Sequence, residues 1–272
     1  MAFENHLATH DIYQPHPALR SYIRYYWSLG LNLPTNSMLS LQLMADRFPR
    51  LIIQCLDGKN ALHGYHNQGI FPASLKGVTS KPALLQMEPK YSHIAVSFFP
   101  HAVKAFFGVD AQETTDAVLD MNHFCPNEGI EQLISATSHQ MRIKILDAFF
   151  LKRLDFIKKL DKRVIDFLQL SSVTSYAKLL AKYKISERQF ERIFLQTVGF
   201  TPSFYKRVLR FERTLYTIQQ GQFESLTDLA YELGYSDQSH FNREFKKFTT
   251  LTPKKLLSKT NLLEDSGSIL SE

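Results

Sequence analysis

The sequence predicts an α+β chain: a strand-rich, mixed N-terminal domain followed by an all-α C-terminal domain with two helix-turn-helix units joined by a long helix. Three observations predict it. Aromatic and β-branched runs crowd the first 125 residues. From about Gly129, apolar residues recur at three- and four-residue spacing, the period of a helix. The last third of the chain repeats itself at a period near 50.

The elements follow in chain order. Arg20 to Leu29 (RSYIRYYWSL) is dense in strand-forming aromatics. Arg50 to Leu56 (RLIIQCL) is an apolar run closed by the turn signal Asp57-Gly58. Ser92 to Phe98 (SHIAVSF) reads as a buried strand. Pro100 to Gly108 then reads as a short helix, with proline near its start and glycine past its end. Asp147 to Leu160 places Phe150, Leu154, Ile157 and Leu160 on one helical face, and Asp161 to Leu170 makes a second helix. The domain boundary is expected between Leu160 and Ser175. This divides the chain into 1–160, with a helical linker at its end, 161–259, and a flexible tail at 260–272.

The repeat carries the strongest signal. Leu179-Leu180 aligns with Leu229-Ala230, Tyr183 with Leu233, Lys184 with Gly234 and Ser186 with Ser236, all 50 apart. After one inserted residue, Phe190 pairs with Phe241, Arg192 with Arg243, Phe194 with Phe245 and Pro202 with Pro253, all 51 apart. In the first unit Tyr176 to Lys182 is a helix, 183–185 turn the chain, and Ser186 with Gln189 has capping-box spacing. In the second, Leu226 to Leu233 is a helix, Gly234 supplies the turn, and Ser236 or Asp237 starts the next helix. Phe190, Ile193, Phe194 and Thr197 form an inward face, as do Phe241, Phe245 and Phe248. Between the units, Thr201-Pro202 opens a helix that Gly221 closes.

Charge supports a nucleic-acid role for this part. The chain carries a net +6. Residues 175–259 hold 15 Lys and Arg against 8 Asp and Glu, leaving 17 against 18 elsewhere, so the whole positive excess sits in one third of the chain. Arg188, Glu191, Arg192 and Leu195 face outward in the first unit. In the second, Ser239, His240, Arg243, Lys246 and Lys247 do so, flanked by Gln238 and Asn242. Arginine can clamp guanine with two hydrogen bonds, and Gln and Asn can do the same to adenine. Lysines late in the helix suit phosphates. Glu191 can accept from cytosine, hold Arg188 or Arg192 in position, or weaken DNA contact. Lys206, Arg207, Arg210 and Arg213 on the connecting helix suit phosphate contacts and structural ion pairs equally.

The segments SERQFERIFLQTVGFTPSFYKRVLRFERT and LTDLAYELGYSDQSHFNREFKKFTTLTPKKLL make residues 160–258 resemble the DNA-binding domain of AraC/XylS-type transcriptional regulators. The resemblance implies two recognition helices entering successive major-groove segments on one side of DNA. Base contacts would fall on Arg188, Glu191 and Arg192, and on Gln238, Ser239, His240, Asn242 and Arg243. The chain departs from the family pattern at Lys184 and Thr250, where glycines are usual, and at Leu180, where alanine is usual. More loosely, Tyr25-Tyr26-Trp27, the Phe98–Gly108 segment and Thr115-Asp116 resemble a sensor domain found in front of such DNA-binding domains.

The front half gives weaker signals. Tyr22, Tyr25, Tyr26 and Trp27 are candidates to line an effector pocket, against the plainer reading of ordinary β core. His63 and His66, with His93, His101 and Cys55 elsewhere, make too loose a set for zinc. No P-loop, Rossmann glycine pattern or nucleophile elbow occurs. The two cysteines, Cys55 and Cys125, lack basic neighbours in sequence to activate them. The expectation is a cytoplasmic regulator, not an enzyme, without metal or cofactor. The absence of an eighteen-residue apolar run argues against a membrane span. Its expected partners are double-stranded DNA, the transcription machinery, a second copy of the chain, and a small-molecule effector or protein at the front domain. The rival expectation is a ligand-binding or protein-interaction module whose helix-turn-helix domain no longer reads DNA specifically.

Overall fold

The computed structural model describes residues 8–33, 38–55, 62–64, 70–125, 129–157, 160–169, 176–257, 262–263 and 268–271. Two antiparallel sheets form the front half. The first contains β1 (Ala8–Tyr13), β2 (Ile23–Asn32), β4 (Arg50–Gln54), β6 (Ala73–Lys76), β8 (Lys90–Phe98) and β9 (Val118–Asp120), in the order β1-β2-β8-β4-β6-β9. The second contains β3 (Leu39–Leu43), β5 (Leu62–His63), β7 (Ala83–Met87), β10 (Leu262–Leu263) and β11 (Ser268–Ser271), in the order β10-β11-β3-β7-β5.

The expected first strand starts three residues late because Pro17–Leu19 spends one turn as a 3-10 helix, pre-set by proline. The strands expected at Arg50 and Ser92 form as β4 and β8. Where a flexible tail was expected, the backbone of β11 pairs with β3, Ser268 opposite Leu43 and Ser271 opposite Ser40. The turn signal Asp57-Gly58 lies outside the described residues.

Strand alternation gives the first sheet two different faces. On one face, Tyr26, Leu51, Ile53, Leu75, Ile94, Val96 and Phe98 are buried against helices. Those helices are α1 (Ala102–Phe107), α2 (Ile130–Ser135) and α3 (His139–Leu154). The other face meets the second sheet through Leu29, Leu31, Leu39, Met87 and Tyr91. α1 ends as its sequence demands, with Gly108 in the left-handed region at φ 71°. α3 begins eight residues before the expected Asp147, because the Ser138 hydroxyl accepts from the Met141 N–H at 3.2 Å and caps it. It stops at Leu154, which leaves Ile157 beyond the helix.

The rear half is helical: α4 (Lys162–Gln169), α5 (Tyr176–Tyr183), α6 (Glu187–Val198), α7 (Pro202–Gln220), α8 (Leu226–Glu232), α9 (Gln238–Thr249) and α10 (Pro253–Leu257). Core membership changes between α3 and α4. Leu146 and Phe150 of α3 belong to the sheet's helical layer, whereas Val164 and Phe167 of α4 pack with Phe190, Phe194 and Tyr205. The rear core also takes in Met44, Ala45 and Val78 from the front half, so the rear domain packs against the front one through apolar contacts.

Candidate nucleic-acid interface

The two units are built alike on a buried phenylalanine frame. Phe190 and Phe194 of α6, and Phe241, Phe245 and Phe248 of α9, are fully buried, so each helix can turn only one face outward. α6 opens with the expected capping box. The Ser186 hydroxyl accepts from the Gln189 N–H at 3.3 Å, and Gln189 Oε1 accepts from the Ser186 N–H at 3.2 Å. Between the two candidate starts of α9, Asp237 is the cap. Its carboxylate accepts from the His240 N–H at 2.7 Å, and this bond holds the carboxyl below the usual range. α7 runs from Pro202 to Gln220, with Thr201 as cap and Gly221 past its end at φ 64°. Its 19 residues span about 28 Å.

The departures from glycine leave the turns unchanged. Lys184 has φ 47° where its counterpart Gly234 has φ 75°, and Thr250 has φ 68° where Gly199 has φ 87°. The repeat therefore imposes left-handed backbone at both places whatever the side chain. A residue with a Cβ there costs about 1–2 kcal/mol.

The outward residues are available. Arg188, Arg192, Gln238, Ser239, Arg243, Lys246 and Lys247 are exposed, and Glu191, His240 and Asn242 are half-buried. Among the described residues, no ion pair or hydrogen bond engages the side chains of Arg188, Glu191, Arg192, Asn242, Arg243, Lys246 or Lys247. Glu191 thus holds neither of its neighbouring arginines. His240 is tethered: Nδ1 lies 3.1 Å from the Ser236 hydroxyl, and its ring packs edge-on against Tyr235 at 5.5 Å.

The ambiguity over the connecting helix resolves through a residue that the sequence reading passed over. Glu244 lies on the inner flank of α9 and accepts from Arg207 Nε at 2.9 Å and Arg210 Nη2 at 2.8 Å. Burial pushes its carboxyl up, but the two arginines outweigh burial and hold it below the usual range. Arg210 also donates to the Gly234 carbonyl at 2.9 Å, fixing the turn before α9. Lys206 sits over the Phe167 and Tyr176 rings at 5.4 and 5.2 Å. Arg207 and Arg210 are therefore structural, whereas Lys206 and Arg213 remain exposed.

The front half grips this domain without covering its outward face. The Ala45 N–H donates to the Phe248 carbonyl at 3.0 Å, and the Thr115 hydroxyl donates to the Gly199 carbonyl at 2.9 Å. Arg47 pairs with Glu212 at 2.7 Å and donates to the Tyr205 hydroxyl at 2.7 Å. A Cβ on Gly199 would lie 2.8 Å from both Thr115 Oγ1 and Val78 Cγ2, so glycine serves close approach there as well as turn geometry.

Of the four aromatics offered as an effector site, only Trp27 lines the cavity between the two sheets, which measures about 70 Å³. Tyr26 points to the opposite face, as period two requires, and donates to Asp147 at 2.7 Å. Tyr25 packs edge-on against Trp27 at 5.9 Å and lies outside the lining. Tyr22 lines a separate cleft of about 560 Å³ with His101, Arg47 and Tyr205. The sequence reading missed the cavity's polar lining: Arg50, Ser74, Lys76 and His93. Arg50 gave a signal, as a charge opening the apolar run RLIIQ, whereas the four residues ASLK around Lys76 gave none.

The remaining polar candidates do not converge. His63 lies 3.5 Å from Glu88, and His66 is outside the described residues. Among the described residues no three His, Cys, Asp or Glu side chains form a metal-sized group, and no helix is long and apolar enough to cross a membrane. Folding does give Cys125 a basic neighbour that the sequence hid: Arg153 Nη2 donates to its sulfur at 2.9 Å, although the thiol is fully buried.

Residues 179–259 match a family model described as a helix-turn-helix domain. The rear of the chain carries a helix-turn-helix domain. Residues 11–120 match a domain of unknown function (DUF6597). An uncharacterized HTH-type transcriptional regulator of Haemophilus influenzae is 26% identical over 176 residues, which is 64% of this chain and 57% of that protein. The transcriptional activator RhaS of Pectobacterium carotovorum is 30% identical over 86 residues, 32% of this chain and 30% of RhaS. The chain thus spans between about a third and three fifths of the relatives it matches. ToxT of Vibrio cholerae aligns over 93% of this chain and 98% of its own, at 12% identity and a TM-score of 0.38. The helix-turn-helix match begins inside α5, so α4 precedes the matched segment although Phe167 packs in the same core.

Proposed function

We propose that the protein is a cytoplasmic, sequence-specific transcriptional regulator that reads two successive major-groove segments with α6 and α9, under control of an effector or partner at its front domain. One observation carries this reading. Two helices at corresponding positions of a repeat turn outward basic and amide side chains that the fold leaves unengaged. In this reading 1–160 senses the effector or dimerises, and 161–259 binds DNA. Arg188, Arg192, Gln238, Asn242 and Arg243 contact base edges, assisted by Ser239 and by His240 in its tethered position, and Glu191 sits beside them. Lys246 and Lys247 contact phosphates. α9 carries at least as much base readout as α6, because no carboxylate interrupts its outward face. Trp27 contributes to the effector site.

Fluorescence anisotropy on DNA selected from random oligonucleotides tests this. Neutralising about six phosphates gives a log–log salt slope near −5. Arg243→Ala costs roughly 1–3 kcal/mol on the selected site and less on random DNA. A flat salt response, or selection that enriches no motif, would refute the reading.

A further inference from the structure

We infer that Lys184, in the turn before α6, grips a DNA phosphate and anchors the first helix-turn-helix unit, as Lys246 and Lys247 anchor the second. The inference rests on the reading of α6 and α9 as groove-reading helices, and adds a contact that the two units place at opposite ends.

Lys184 holds left-handed backbone, φ 47°, where Gly234 stands in the second unit. The two turns are bonded alike. The Lys184 N–H donates to the Ala181 carbonyl and the Ile185 N–H to the Leu180 carbonyl, both at 3.2 Å. At the matching positions, Gly234 donates to Tyr231 at 3.0 Å and Tyr235 to Ala230 at 2.9 Å. The turn therefore closes as well with glycine, which adopts this φ without steric cost. Non-glycine residues held in this region cluster at functional sites, so an observed one calls for a role. The Lys184 side chain is exposed, and among the described residues no ion pair or hydrogen bond engages it. Its neighbours are spent: Lys182 pairs with Asp166 at 2.6 Å, and Ile185 packs on the rear core.

The repeat shows what the side chain supplies. Lys246 and Lys247 give the last turn of α9 two cations, whereas the last turn of α6 has none. At the offset of 51, the counterparts of those lysines are the uncharged Leu195 and Gln196. The second unit in turn lacks a cation where Gly234 stands. Each unit thus carries lysine at one end of its outward face, α6 at the start and α9 at the finish. Base-reading side chains lie near the start of a recognition helix, and the groove they enter is rimmed by phosphates. Lys184 stands two residues before the Ser186 cap and four before Arg188, which puts it at that rim when Arg188 enters the groove. An ammonium on a flexible stem meets a phosphate as a point charge and needs no fixed geometry.

Full-length variants separate this contact from a general loss of charge or fold: Lys184→Gly, Lys184→Gln, Lys184→Arg, and Lys81→Ala, the last removing an exposed charge from the front half. Each is titrated by fluorescence anisotropy against the selected duplex and a random-sequence duplex over a range of salt, with urea unfolding in parallel. Lys184→Gly and Lys184→Gln should each bind both duplexes about tenfold more weakly at about 0.05 M salt and about threefold at about 0.2 M, with the salt slope shallower by about 0.9. Lys184→Arg and Lys81→Ala should keep the wild-type slope. Lys184→Gly should also raise the urea midpoint, so that binding falls while stability rises, which misfolding cannot imitate. If Lys184→Gly and Lys184→Gln keep the wild-type slope, if Lys81→Ala lowers it equally, or if Lys184→Gly lowers the urea midpoint, Lys184 is not a phosphate anchor while the groove-reading assignment stands. If the wild-type slope is itself flat, both readings fail.

Discussion

Lys76 makes the front domain's stability depend on pH in an unusual direction. Its ammonium is buried without an ion-pair partner among the described residues, and its pKa falls from the ordinary 10.5 to about 8. Between those values the unfolded chain binds a proton that the folded chain has released, so stability rises with pH. Below about pH 8 both states are protonated and the folded protein carries the full cost of the buried charge. Integrating the difference, the gain between about pH 7 and pH 9.5 is about 2 kcal/mol. Burial raises the phenol pKa values of Tyr26 and Tyr91, whose opposing effect begins near the normal phenol pKa, above this window. It also raises the Cys55 thiol from its ordinary 9.0, which opposes the rise inside the window. The Lys76 contribution is therefore read as the difference between the wild type and Lys76→Met. Urea unfolding followed by circular dichroism at about pH 7 and pH 9.5 measures the difference. Lys76→Met should be the more stable protein at neutral pH and should lack the rise. The same pH dependence in the wild type and in Lys76→Met would refute this account of Lys76.

Three further outcomes follow from the rear domain. Glu244→Gln leaves Arg207 and Arg210 with a neutral acceptor, and should cost about 2 kcal/mol in urea unfolding and weaken DNA binding through α9 even though Glu244 faces inward. Gly199→Ala places a methyl against Val78 and Thr115 and forces a left-handed backbone on alanine. It should lose about 1–3 kcal/mol, and a neutral result would mean that the two halves separate there readily. Lys184→Gly and Thr250→Gly relieve positive φ values and should each stabilise by up to about 1 kcal/mol, readable as raised urea midpoints. A loss at either site would show that its side chain makes a contact worth more than the strain.

The rear domain was legible because its signals are local and doubled. Capping residues sit within three positions of the groups they satisfy, and every buried phenylalanine of α6 recurs in α9 at a fixed offset. The front domain hid its geometry. β3, β5, β6, β7 and β9 are five residues long or less; LSLQL of β3 alternates fully and the sequence reading overlooked it, while ASLK and ALLQM carry too few alternations to announce a strand. The aromatic run misled for a related reason. Composition marks Tyr22, Tyr25, Tyr26 and Trp27 alike, but alternation within β2 sends Tyr26 to the helices and Trp27 to the cavity, and Tyr22 precedes the strand. The roles of Glu244, Arg207 and Arg210 depend on contacts 34 and 37 residues apart, beyond any local pattern.

The way the front domain meets the rear one gives the cavity a short physical reach. Leu41 and Leu43 of β3 line the cavity, and the chain then runs through Met44, Ala45, Asp46 and Arg47 before Arg50 returns to it on β4. That single passage bonds Ala45 to the end of α9 and Arg47 to Glu212 of α7, while Asp46 pairs with Arg50. The strand carrying Lys76 leads directly to Val78, whose side chain joins the rear core, and to Thr79, which exchanges two backbone hydrogen bonds with Asp46 at 2.8 and 2.9 Å. Each cavity cation therefore lies within five residues of the segments that hold both helix-turn-helix units from behind. Contiguity of this kind is not itself coupling. It does specify where differential contacts would have to arise: Asp46 is the residue at which both anchoring segments meet.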